Sequence, residues 1–102
     1  MIRSIALFRF KPGTSTEQIA TIDAAMKGLR LKGMRSWAML PDLGFREGNM
    51  QYIVVADFDD EAAYREYDAD PEHNRVRREL LAPIAERVER LQYRVEVDQG
   101  AR

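Results

Sequence analysis

The chain has no cysteine and one histidine, and neither sign of charge predominates, with 16 basic against 17 acidic side chains in 102 residues. Without cysteine there can be no disulfide, no thiolate-bound metal and no sulfur nucleophile. A formal net charge of -1 argues against nucleic-acid binding, which draws its affinity from an excess of Lys and Arg on one surface. No apolar run approaches the roughly 20 residues that cross a bilayer. Residues 1–10 are too short, and too broken by Arg3 and Arg9, to read as a secretory leader. The expected location is cytoplasmic, with neither nucleic acid nor membrane as a partner. His73 has no second histidine with which to share a metal, and Asp57, Asp59 and Asp60 read as strand-end and helix-cap groups rather than a cage for a hard cation. Neither metal nor cofactor is expected.

What the chain does contain is the balance of a folded domain, 45% apolar and 32% charged, enough for one modest core but not two. A single domain is expected over residues 1–98, with a frayed tail at 99–102. Residues 2–10 place Ile2, Ala6, Phe8 and Phe10 at even positions and Ile5 and Leu7 at odd ones, a strand with apolar groups on both faces. Lys11, Pro12 and Gly13 end it. Thr14 with Glu17 three residues on signals a helix start, and Ile19, Ile22, Met26 and Leu29 recur at helical spacing. Residues 34–40, around Trp37, read as a second strand and 50–58 as a third. The third has Met50, Tyr52, Val54, Ala56 and Phe58 on one face and Ile53 and Val55 on the other.

Asp59 or Asp60 caps a short helix with Ala63, Tyr64 and Tyr67 on one stripe, and Asp70-Pro71 opens another. Val76, Leu80, Ile84 and Val88 continue that second helix, and Pro83 inside the pattern predicts a kink or restart near Leu81. Leu91, Tyr93, Val95 and Val97 alternate with Gln92, Arg94, Glu96 and Asp98, a closing strand with one apolar face.

This order predicts an α+β, ferredoxin-like β-α-β-β-α-α-β domain with a four-stranded antiparallel sheet and helices on one side. The helices cover a single face, so Ile5, Leu7, Ile53 and Val55 stand bare on the other. A second copy packed sheet to sheet would bury them, forming a homodimer with a standard interface of roughly 800 Å² per partner. Scattered apolar surface residues are the alternative. Trp37 reads as core or dimer-interface packing and is placed with the interface residues.

The opening Met-Ile-Arg-Ser-Ile-Ala-Leu-Phe-Arg-Phe-Lys, the Asp42-Leu43-Gly44 loop, the strand ending in Asp57-Phe58, and Tyr67 followed after five residues by His73 in Pro-Glu-His together resemble the stress-responsive dimeric α/β-barrel family. The resemblance implies a dimer in which two sheets enclose a barrel. It also implies a Tyr and a His at the positions of Tyr67 and His73, shared with a plant member that cyclises a linear polyketide by aldol chemistry. The family's first strand often carries a His where this chain has Ser4, so a second polar contact becomes a smaller hydroxyl.

His73 is suited to acid-base work near neutrality, and in the first helical turn the helix dipole favours its neutral ring. Tyr67 could hold a carbonyl oxygen as charge develops on it. A pocket between sheet and helices would be lined by Ser4, Ala6, Phe8, Val54 and Ala56 from the strands and Ile22, Met26, Tyr64, Val76 and Ile84 from the helices. The plain reading, a packed histidine and a tyrosine with its hydroxyl in water, stands beside this one. Arg75, Arg77 and Arg78 read as a solvated face paired with Glu72 and Glu79, or as the mouth of an anionic-substrate site. The expected activity is a cofactor-independent cyclase or lyase on a small carbonyl or polyketide-like compound, with His73 as base. A non-enzymatic, stress-associated dimer binding a small apolar ligand and a cofactor-independent monooxygenase are the alternatives.

Overall fold

Alternation of apolar side chains on both sides of the chain produces the central strand, and the rest of the fold is built outward from it. The computed structural model describes residues 1–96. Val97 and Asp98 of the expected closing strand, and the tail at 99–102, lie outside the described residues. The elements are β1 (Ile2–Phe10), α1 (Thr16–Lys27), β2 (Met34–Pro41), β3 (Tyr52–Phe58), α2 (Glu61–Ala69), α3 (Pro71–Val76), a π-helical turn (Arg77–Leu81) and β4 (Ala85–Arg94). The sheet order is β2-β3-β1-β4, and every neighbouring pair is antiparallel. This is the expected ferredoxin-like arrangement.

Register sorts the two faces. Ser4 pairs with Ala56 and Gln92, and Ala6 with Val54 and Arg90, so these side chains share the helix side of the sheet. Ile5 pairs with Val55 and Leu91, and Leu7 with Ile53, so these share the opposite side. The core on the helix side gathers Ile2, Phe8, Phe10, Ile22, Met26, Leu29, Ala56, Phe58, Tyr67, Val76 and Ile84. Phe58 is wholly buried and packs edge-on against Tyr64 at 5.6 Å and tilted against Tyr67 at 4.9 Å between ring centroids.

Three local expectations shift. The α1 cap is Ser15 with Gln18, one residue later than Thr14 with Glu17, and the Thr14 hydroxyl instead donates to the Lys11 carbonyl at 2.7 Å. The third strand starts at Tyr52 rather than Met50. The largest change concerns the last helix, because Pro83 brings no N–H and its ring would crowd the Glu79 carbonyl of a continuing helix. The chain widens over Arg77–Leu81, where the Ala82 N–H reaches back to the Arg77 carbonyl at 2.8 Å, then turns and enters β4 at Ala85. Val88 therefore belongs to a strand, opposite Phe8, and not to the helix. Glu86 is the extra residue of a bulge between the Arg9–Arg87 and Phe10–Ala85 pairs.

Gly33 marks where β2 passes under α2. A Cβ there would collide with the Cβ of Ala63, part of the backbone-anchored wall of α2. Gly33→Ala is expected to lower unfolding stability by about 1–3 kcal/mol through overpacking. An unchanged denaturant midpoint would contradict that contact.

Candidate active site

The corner between α2 and α3 fixes the two polar groups singled out by sequence. The Asp60 carboxylate accepts from the Ala63 N–H at 2.9 Å and starts α2. Asp70 breaks α2, and its carboxylate then accepts from the His73 N–H at 2.8 Å and starts α3. Chain reversal at Asp70 folds the His73 ring back onto Tyr67, with centroids 3.9 Å apart and planes 28° from parallel. His73 Nδ1 lies 2.7 Å from the Tyr67 carbonyl oxygen. A carbonyl can only accept, so Nδ1 carries the proton and donates, leaving the lone pair on Nε2. Nε2 has no hydrogen-bond partner among the described residues.

Both groups are neutral at physiological pH. His73 is 5% exposed, and burial pulls its imidazolium below the ordinary value of 6.5 against the opposing effect of the Tyr67 carbonyl. Burial is the largest influence keeping the ring uncharged. Burial also raises the Tyr67 phenol above its usual value, an effect offset in part by the nearby Trp37 side chain. The indole Nε1 of Trp37 is shut off from solvent and faces the Tyr67 side chain without a well-formed hydrogen bond.

A largely apolar cavity with about 70 Å³ of free volume opens between sheet and helices. His73, Tyr67, Tyr64, Ser4, Ala6, Phe8, Ile22, Met26, Val54, Ala56 and Val76 line it, so the two candidate reactive groups share one space. Ile84 does not: it is buried in the turn before β4, where its carbonyl accepts from the Lys11 N–H at 2.8 Å. Trp37 is a second correction. It pairs with Ala56 on the helix side and lines the cavity, so it faces away from the bare face to which it was assigned. Register settles that, since Ala38 and Leu40, not Trp37, pair with Val55 and Ile53.

Sequence reasoning also missed Met39, Leu81, Arg90 and Gln92 in the lining, and of the arginine cluster weighed as a site mouth only Arg77 lines it. Arg90 and Gln92 were hidden because the closing strand puts Leu91 and Tyr93 on the bare face and its polar residues toward the helices. In the arginine cluster, Arg75 pairs with Glu72 at 2.7 Å and Glu79 at 3.2 Å on the solvated side. Arg77 instead reaches Asp68 at 2.7 Å beside the cavity. Among the described residues no three His, Asp or Glu side chains gather as a metal site, and no helix is long and apolar enough to cross a membrane.

The model of the stress-responsive A/B barrel domain matches residues 2–95. The chain belongs to that family. A dimeric ferredoxin-like protein of unknown function from Thermobifida fusca YX is 30% identical, with 92% of this chain and 90% of that one aligned at a TM-score of 0.81. Hydroxynitrile lyase from Passiflora edulis is 23% identical, covering 96% and 95% of the two chains at 0.82. A protein of Arabidopsis thaliana is 19% identical, covering 97% and 99% at 0.83. The latter two establish shared fold alone. A search of curated proteins finds no match.

Proposed function

We propose that this A/B barrel chain acts as a homodimer, each protomer carrying a site that moves a proton on a small carbonyl compound as a cofactor-independent lyase or cyclase. The observation that carries the reading is His73: a buried, neutral imidazole anchored through Nδ1, with a free Nε2 in a cavity it shares with a neutral phenol. Nε2 takes the proton α to the carbonyl, and the C–H electron pair moves into the carbonyl to leave an enolate oxygen. Tyr67 donates its hydroxyl hydrogen bond to that oxygen. The enolate carbon adds to a second carbonyl group, forming the C–C bond of the cyclase reaction, and the alkoxide oxygen that results takes the proton from Nε2; run in reverse, the same step breaks the C–C bond as a lyase does. A hydroxynitrile lyase on the same fold is consistent with lyase chemistry on this scaffold.

The free volume is about five times the least that holds one water, which favours a compact carbonyl compound over a long polyketide chain. Homodimerisation is supported by the bare face. Ile5, Leu7, Ile53 and Val55 stand there with Leu40 and Leu91, which are 52% and 62% exposed. In the β2–β3 loop Leu43 and Phe45 are 77% and 84% exposed, extending an apolar surface that a second copy would cover. The Thermobifida relative, described as dimeric, supports the same assembly.

The test is deuterium uptake at the α carbon of a panel of small ketones and aldehydes in D₂O, followed by proton NMR. Uptake on at least one member, lost in His73→Gln, is the expected result. Binding without uptake on every member would replace the enzymatic reading with ligand carriage.

A further inference from the structure

β4 contains three arginines that the fold treats differently. Arg87 pairs with Glu89 at 2.7 Å and Arg94 with Glu61 at 3.6 Å, whereas Arg90 has no acidic partner among the described residues. Arg90 is also the one of the three that lines the cavity. It stands opposite Ala6 on the helix side of an edge strand, where the helices leave the sheet open. The other charges near that opening cancel: Arg77 is held by Asp68 at 2.7 Å, and although Asp68 also feels Arg90, the three together retain one positive charge. His73 adds none while its ring is neutral.

Neutral donors sit beside Arg90. Gln92, two residues on and therefore on the same face, donates from Nε2 to the Ser4 hydroxyl oxygen at 3.2 Å. That bond leaves the Ser4 hydroxyl hydrogen and the second Gln92 amide hydrogen available at the cavity wall. An apolar cavity thus has the neutral His73–Tyr67 pair among its lining groups and an uncompensated guanidinium with two hydrogen-bond donors among the others.

We infer that the ligand of this cavity is a small carboxylic acid, its carboxylate seated on Arg90 with Ser4 and Gln92. Joined to the reaction proposed above, on which this clause alone rests, the substrate class becomes a short oxo acid, carboxylate on Arg90 and carbonyl toward Tyr67. A carboxylate is favoured over a rounder anion because the planar guanidinium offers two parallel N–H groups that match its two oxygens.

The experiment is calorimetric titration of the intact protein with pentanoate and with pentanamide, which differ in charge but hardly in shape. The wild type should bind the acid at least tenfold more tightly than the amide, and added salt should narrow the gap. Arg90→Gln should weaken the acid by about tenfold or more and leave the amide unchanged, with Arg90→Lys between the two. His73→Gln should leave the preference for the acid in place even though it removes α-proton exchange, so the failure of one proposal is distinguishable from the failure of the other. Equal affinity for acid and amide, absence of acid binding, or an Arg90→Gln effect equal on both ligands would overturn the assignment.

Discussion

Val55→Glu should convert the protein from a dimer to a folded monomer at micromolar concentration. Val55 sits in the middle of the bare face, opposite Ile5 on one neighbouring strand and Ala38 on the other. In a twofold sheet-to-sheet dimer the new carboxylate enters the middle of an apolar interface, where the same-face Arg3 is already held by Asp57 at 2.8 Å, and an uncompensated buried charge costs roughly 3–5 kcal/mol. That corresponds to a dissociation constant weakened at least about a hundredfold. The protomer itself should keep its fold, because no helix packs on this side and the substitution leaves the Phe58 core intact. Sedimentation velocity of the variant against the wild type reads the result directly. A wild-type protein that sediments as a monomer at these concentrations would remove the dimer from the proposal altogether.

The second large effect concerns His73. If Nε2 is the base, His73→Gln should cut α-proton exchange by roughly 10²–10⁴-fold. Its pH signature separates this role from mere packing. Burial lowers the folded-state value of His73 below 6.5, so between 6.5 and that lower value the unfolded chain holds more protons than the native one. Stability is therefore fully present above about pH 6.5 and declines as the pH falls through the folded-state value. Exchange activity should decline over the lower end of the same window, as the ring that must accept a proton becomes occupied. In His73→Gln the stability component of this pH dependence disappears. Urea unfolding at several pH values between about 5 and 7.5 reads it, and identical profiles for both proteins would mean that the ring is not buried in its neutral form.

Much of this architecture is readable from local chemistry. The Asp70-Pro71 start is encoded within two residues and appears in the structure with the Asp70 carboxylate on the His73 N–H, as capping chemistry requires. Tyr67 and His73 are brought together by the same short segment, so their proximity needs little long-range information. The misreadings occur where tertiary structure decides between equal local signals. Val76, Leu80, Ile84 and Val88 keep a four-residue spacing that fits a helix, yet Pro83 forces the chain out of it and hands Val88 to an edge strand. Trp37 carries no local mark of the face it occupies, and only its register against Ala56 turns it toward the cavity. Arg90 and Gln92 were invisible for a related reason: on an edge strand beyond the cover of the helices, polar side chains can point inward and still meet water or a ligand.

Imidazole and phenol are mounted on one corner of backbone, joined through the Tyr67 carbonyl and locked by Asp70, while the arginine stands on the far edge of the sheet. In the proposed reaction, base and hydrogen-bond donor would therefore travel as a single rigid jaw, and a tilt of that corner relative to β4 would alter the length of molecule the site can span without disturbing the spacing between them.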